Sequence, residues 1–139
     1  MTAEEMATIH ARAMTTPAPW GVPTFEGFLS FPGAIALAET EGFALGRVIA
    51  DEAEVLTIAV LPEARRRGVG RRCLAAFEVE AARRSATRVF LEVAEDNTAA
   101  RALYESFGYA EIARRADYYK TPDGQRHDAL VMEKRLPGA

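Results

Sequence analysis

The apolar positions change their period at Leu61-Pro62. Before that point the pattern opens as a helix: Met6, Ile9, His10 and Ala13 share one face of a helix predicted over residues 3–14, with Thr2 as its cap. Pro17, Pro19, Gly21 and Pro23 then break the pattern into a loop around Trp20. Phe25, Phe28 and Leu29 predict a short helix from Thr24 that ends before Pro32 and Gly33. Three runs of strand character follow, at 34–38, 43–50 and 54–60, parted by turn signals at Glu41-Gly42 and Asp51-Glu52. Connections this short predict an antiparallel meander.

Beyond Pro62 the period lengthens. Val69, Cys73, Phe77 and Ala81 recur every four residues, with Leu74 beside them, which predicts an amphipathic helix over 68–84. Residues 89–93 read as a strand. Asn97 caps a helix carrying Ala100, Leu103, Tyr104 and Phe107, and Gly108 ends it. Strands at 109–113 and 128–133 close the chain. The order is α-α-β-β-β-α-β-α-β-β. Its one β-α-β unit, spanning 54–93, places two strands parallel with a right-handed crossover. The remaining strands pair antiparallel. The predicted fold class is therefore α/β with a mixed sheet flanked by helices, in a single domain over 1–139.

Composition narrows the function classes. The 139 residues are 49% hydrophobic and 27% charged, ordinary for a chain that buries a core. No apolar run approaches the roughly 18 residues of a membrane span. Glu4 and Glu5 stand where a secretory signal would be apolar. Cys73 is the single cysteine, so no internal disulfide and no cysteine cluster for zinc is expected. It falls on the core stripe of its helix, which predicts a buried, inert thiol. His10 and His127 stand apart, and no metal role is expected of them. These features predict a cytoplasmic protein with no membrane or nucleic-acid partner.

Charge is unevenly placed. Residues 1–60 carry eight acids and two bases, while Arg65, Arg66, Arg67, Arg71 and Arg72 crowd into eight positions. Such an island in a chain of net charge −3 reads either as a solvated face or as a local anion site. Gly68 and Gly70 favour the anion site. They lie between a strand and a long helix, where free backbone N–H groups and the helix dipole favour a phosphate. A Walker loop needs Gly-Lys-Ser/Thr, and Arg71-Arg72 follow Gly70 instead. The dinucleotide fingerprint G-x-G-x-x-G fits Gly68 and Gly70, with Glu92 near the ribose acid's place. Cys73 stands in place of its third glycine, though, and too little chain follows for the second half of such a fold. Coenzyme A is the remaining pyrophosphate ligand.

Arg65-x-x-Gly68-x-Gly70 after a strand resembles the R/Q-x-x-G-x-G/A loop of the GNAT superfamily of N-acetyltransferases. Leu91-Glu92-Val93, Asn97, Leu103-Tyr104-Glu105, Phe107-Gly108-Tyr109, Arg114-Arg115, Tyr118-Tyr119, Asp123-Gly124, Asp128-Ala129 and Met132 follow in order. This set is similar to the ribosomal-protein-alanine N-acetyltransferase branch, over about residues 51–132. The resemblance implies the acyl-coenzyme A N-acyltransferase fold, acetyl-coenzyme A as donor, and a protein N-terminal amine as acceptor, an alanine of a small-subunit ribosomal protein. It implies that Ile58, Ala59 and Val60 pair with the pantetheine arm. Arg65, Arg66, Arg67, Gly68, Val69, Gly70 and Arg71 would hold the pyrophosphate, and Asn97 would contact the donor near its thiol end. Glu92 is implied as general base and Tyr104 as general acid. Ala18-Pro19-Trp20 resembles an aromatic-Pro-Trp loop of the branch, and Trp20, Tyr118 and Tyr119 would shape the acceptor mouth, the two tyrosines from the connection before the last strand.

The chemistry agrees with those roles. An α-amino group has a pKa near 8, so a carboxylate at Glu92 suffices to accept its proton, directly or through water. Backbone N–H groups on strand 54–60 can stabilise the oxyanion, and a phenol at Tyr104 can protonate the leaving thiolate. By pattern alone Glu92 can equally face solvent, Tyr104 can be core and Asn97 merely a cap. Glu54 is an alternative base. Three departures from the branch bear on the acceptor: Ala94-Glu95-Asp96 where the branch has Arg and Ser before its asparagine, Ala18 where it has an aromatic, and a first strand that looks shortened or absent. Glu26, Glu39 and Glu41 offer electrostatic steering of a basic acceptor peptide. A small amine or lysine acceptor, and a non-catalytic acyl-coenzyme A sensor, remain the alternatives.

Overall fold

The computed structural model describes residues 1–14 and 18–137. Pro17, placed by the sequence in the Trp20 loop, lies outside them. Helix α1 (Ala3–Ala13) opens on a capping box: Thr2 Oγ1 accepts from Glu5 N–H at 3.1 Å, and Glu5 Oε1 accepts from Thr2 N–H at 2.9 Å. Helix α2 (Val22–Leu29) starts two residues earlier than expected. Gly21 is its extended cap, and Pro23 sits in the first turn, where a missing N–H costs nothing.

Strands β1 (Ala34–Glu39), β2 (Gly42–Ile49) and β3 (Glu52–Val60) form the antiparallel meander. A short 3₁₀ turn (Pro62–Ala64) leads to α3 (Val69–Arg83), then β4 (Arg88–Ala94) and α4 (Thr98–Ser106). Strands β5 (Ala110–Lys120) and β6 (Arg126–Arg135) complete a six-stranded sheet in the order β1-β2-β3-β4-β6-β5, with β3 and β4 parallel and every other pair antiparallel. The mixed α/β architecture is as the sequence predicted. Among the described residues no strand precedes α1.

Both faces of the sheet are covered. Phe77 and Leu74 of α3 pack with Val89, Leu91, Leu130 and Met132 on one side. Met6 and Ile9 of α1 and Phe25 of α2 pack on Phe43, Leu45 and Ala59 on the other. Gly46 of β2 permits the closest approach: a Cβ there would stand 2.5 Å from the Phe77 ring and 2.2 Å from the Glu54 carbonyl oxygen.

The final strands differ from expectation. β5 runs on to Lys120, so Tyr118 and Tyr119 lie in a strand and not in the connection before one. The hairpin turn is tighter than predicted: Thr121 N–H donates to the Gln125 carbonyl at 2.8 Å, and Gly124 takes a φ of +86°. β5 is an exposed edge strand, so it carries no apolar alternation by which a sequence reading finds strands. Its pairing with β6 slips twice, between Glu111 and Ala113 and between Arg115 and Tyr119. In the second slip Asp128 Oδ1 accepts from Asp117 N–H at 3.0 Å, and Asp117 has a φ of +52°.

Candidate active site

The parallel pair is short. β3 and β4 pair from Glu52↔Arg88 to Val55↔Leu91 and no further. Beyond Val55 the register of β3 against β2 shifts: Gly46 faces Val55 and Leu45 faces Thr57, which leaves Leu56 as an extra residue. A bulge bends its strand and sharpens the twist. β3 therefore stays with β2 as far as Gly42↔Val60, while β4 stays with β6 as far as Ala94↔Ala129. The strands part, and residues 56–60 of β3 keep backbone groups on the β4 side that no strand satisfies.

The gap is a cleft of about 1380 Å³. That exceeds the roughly 300–1,000 Å³ of an ordinary small-ligand pocket and leaves room for an extended donor and an acceptor. Ile58, Ala59 and Val60 line it, as do Arg65, Arg66, Gly68, Val69, Gly70, Arg71 and Asn97. Glu92, Tyr104, Trp20, Tyr118 and Tyr119 line it too. Of the residues assigned above to the donor, the proton transfers and the acceptor mouth, Arg67 alone is not part of this lining.

One end of the cleft is built for an anion. Arg66 and Gly68 both take left-handed backbone conformations, with φ of +67° and +78°. These turns gather the loop's amides beside the open first turn of α3. The arginines divide their work. Arg65 Nη2 donates to the Ala13 carbonyl at 2.9 Å, tying the loop to the end of α1. Arg71 Nη2 donates to Ser106 Oγ at 3.0 Å, and its guanidinium lies over the Phe107 ring. Arg72 grips the Glu39 carboxylate with two nitrogens, at 2.7 and 2.9 Å, and donates to the Arg67 carbonyl. That hydrogen bond from Arg72 holds the Glu39 carboxyl below its usual range. Glu39 is thus held by Arg72 beside the arginine-rich loop.

The other end carries the candidate chemistry. Glu92 projects from β4, with its side chain about one-third exposed, and Arg115 Nε lies 3.9 Å from its carboxylate. Glu54, the alternative base, is held by Arg47 at 3.0 Å and is nearly half exposed. Tyr104 is 7% exposed, packed edge-on against Tyr109 at 5.9 Å. Burial pushes its phenol well above the usual value, so it carries its proton throughout the physiological range. Burial and the nearby Glu92 charge push Tyr119 up to about 12. Asn97 does what its position in sequence predicts: its Oδ1 accepts from Ala100 N–H at 3.2 Å, and the residue also faces the cleft.

Cys73 is buried, burial raises its thiol, and it is absent from the cleft lining. No group of three His, Cys, Asp or Glu side chains converges as a metal site among the described residues. His10 has a setting that the sequence did not reveal. It is completely buried on the cleft wall, stacked on Trp20. The helical stripe had placed it among Met6, Ile9 and Ala13, and that was the available signal.

A fold of this topology, split at a β-bulge beside an anion-binding helix start, defines a class. The profile of the acetyltransferase (GNAT) family matches residues 6–109, and the chain belongs to that family. It is an acetyl-coenzyme A-dependent N-acetyltransferase by class. Among relatives, the "[Ribosomal protein bS18]-alanine N-acetyltransferase" of Escherichia coli (strain K12) is 37% identical over 131 residues, covering 91% of this chain and 87% of the relative. The "N-alpha-acetyltransferase RimI" of Mycobacterium tuberculosis (strain ATCC 25618 / H37Rv) is 36% identical over 141 residues, covering 95% and 85%. The crystal structure of the ribosomal-protein-S18-alanine N-acetyltransferase from Escherichia coli superposes with a TM-score of 0.88 at 34% identity, covering 99% of this chain and 89% of that one. No described helix is long and apolar enough to cross a membrane.

Proposed function

We propose that this protein, acting as one domain over residues 1–139 in the cytoplasm, acetylates the α-amine of an N-terminal alanine on a small-subunit ribosomal protein of the S18 type. The names of its relatives support this acceptor, and their coverage supports a common architecture. The observation that carries the mechanism is the split between β3 and β4, with Glu92 and Tyr104 on the same cleft.

The residues fit acetyl-coenzyme A. The left-handed loop at Arg66 and Gly68 and the first turn of α3 present amides to the pyrophosphate, and Arg66 adds charge. The backbone of residues 56–60, unpaired on its β4 side, offers hydrogen bonds to the amide-bearing pantetheine arm. The bound donor supplies an activated acetyl thioester. Glu92 takes the proton of the acceptor ammonium, directly or through water, so the amine can attack. Backbone N–H groups of the open β3 segment face the oxyanion that forms. Tyr104, protonated at working pH, gives its proton to the departing thiolate, and the second proton shed by the acylated nitrogen restores the phenol, directly or through water. Trp20, Tyr118 and Tyr119 border the acceptor's entry.

Incubation of the protein with acetyl-coenzyme A and a synthetic peptide beginning Ala-Arg tests this, read by mass spectrometry. Addition of one acetyl group at the α-amine is expected. No transfer to such peptides, with transfer to lysine side chains or small amines, would overturn the acceptor assignment.

A further inference from the structure

Trp20 stands on a loop outside any helix or strand, and its own amide is held by a side chain of α1. Trp20 N–H donates to His10 Nδ1 at 3.0 Å, and His10 Nε2 lies 3.2 Å from Thr57 Oγ1. An amide N–H can only donate, so Nδ1 is the acceptor. The neutral ring then carries its proton on Nε2 and donates it to the Thr57 hydroxyl oxygen. His10 has no exposed surface, and Thr57 has 6%. The imidazole stacks on the Trp20 indole, with centroids 5.0 Å apart and planes 20° from parallel, and meets Phe25 edge-on at 5.3 Å.

The position of Thr57 makes this bridge more than core packing. Thr57 directly follows the bulge residue Leu56, at the start of the β3 segment that has left β4. His10, Trp20 and Thr57 all line the cleft. A buried polar ring is costly unless both nitrogens are bonded, and here both are. A leucine of similar volume would fill the space yet leave the Trp20 amide without its acceptor.

We infer that His10 is a positioning residue for the acceptor side of the cleft, clamping the Trp20 loop to strand β3 at Thr57 through its two ring nitrogens. The inference rests on the proposed acetyl transfer only for which substrate responds. The clamp grips the Thr57 side-chain hydroxyl, whereas the donor is offered the backbone of residues 56–60, still paired with β2, and the anion-binding loop, so loss of the clamp acts chiefly on the acceptor. One hydrogen bond is worth about 0.5–1.5 kcal/mol, which sets the expected effect at up to about tenfold in acceptor KM.

Trp20 is the only tryptophan, so its emission reports the loop directly, whether or not any peptide is acetylated. His10→Leu, His10→Asn and Thr57→Val are compared with the unaltered protein by acrylamide quenching of Trp20 and by steady-state kinetics. In His10→Leu, Trp20 becomes more accessible to quencher, and acceptor KM rises about tenfold while KM for acetyl-coenzyme A stays within about twofold. His10→Asn, whose carbonyl can stand where Nδ1 stood, restores most of both. Thr57→Val gives an intermediate effect and serves if His10→Leu does not fold. Unchanged quenching with unchanged acceptor KM in His10→Leu, or an equal rise in both KM values, overturns the inference. Absence of acetylation by the unaltered protein sinks the proposed function instead, and Trp20 quenching still decides the clamp.

Discussion

Arg115 Nε and the Glu92 carboxylate face each other at 3.9 Å, although β6 runs between their two strands. The distance is too long for a hydrogen bond, so Glu92 remains free to accept one from an incoming amine. Arg47 at 3.0 Å already occupies Glu54, the rival base. Glu92→Gln keeps the shape and removes the basic site. It should lower kcat by about 10²–10³ with acetyl-coenzyme A binding retained, whereas Glu54→Gln should change kcat less than about threefold. Steady-state kinetics with an Ala-Arg peptide distinguishes the two; equal losses would reassign the base.

Tyr104→Phe removes one oxygen from a well-packed ring. The Tyr104 hydroxyl has no hydrogen-bond partner among the described residues, and Tyr109 keeps its own bond to Glu78 at 2.8 Å. Melting temperature should therefore stay within about two degrees. If the phenol protonates the leaving thiolate, kcat should fall about a hundredfold. A donor with a better leaving thiol should recover part of the loss, and no such recovery would count against the acid role.

Gly68→Ala tests the anion loop through its backbone. Gly68 has a φ of +78°, and a Cβ there would meet Arg72 Nη1 at 3.0 Å. That nitrogen is bonded to the Arg67 carbonyl, so the arginine cannot withdraw without loosening the loop. The left-handed penalty is about 1–2 kcal/mol. Chemical denaturation should show a loss of that size, together with a rise of roughly fivefold or more in KM for acetyl-coenzyme A.

Stability should also depend on pH through His10. Burial pulls its pKa from the ordinary 6.5 down to about 4. As pH falls through 6.5 the unfolded chain takes up a proton that the folded chain refuses, so stability declines from about pH 6.5 to about pH 4 and then levels. A shift of that size is worth roughly 3 kcal/mol at the lower limit. Urea unfolding at several pH values should show the decline in the unaltered protein and a shallower one in His10→Asn; identical slopes would mean that His10 is not the titrating group.

Much of this architecture was legible in the residues. The four-residue recurrence of Val69, Cys73, Phe77 and Ala81 marked α3, and Leu61-Pro62 marked the change from meander to crossover, because both are local patterns tied to burial. What escaped was set by tertiary contact. Only three-dimensional packing brings Thr57 and the Trp20 amide to the two nitrogens of His10. Only the pairing register reveals Leu56 as the bulge that opens the cleft. The arginine island was legible, but not how its members are engaged: Arg65, one of the four assigned to the pyrophosphate, reaches the end of α1, and the neighbouring Arg72 grips Glu39. β5 went short because an exposed edge carries no apolar alternation.

The irregular edge of β5 has a consequence for colloidal behaviour. An exposed outer strand of eleven residues would ordinarily template the addition of a foreign strand and lead to aggregates. Here the two slips leave no unbroken pairing with β6 longer than the three residues Ala113 to Arg115, and Asp117 turns the backbone left-handed within the second slip. A neighbouring chain would lose register before it could zip, so the kink that carries Tyr118 and Tyr119 to the cleft also guards the molecule against edge-to-edge polymerisation.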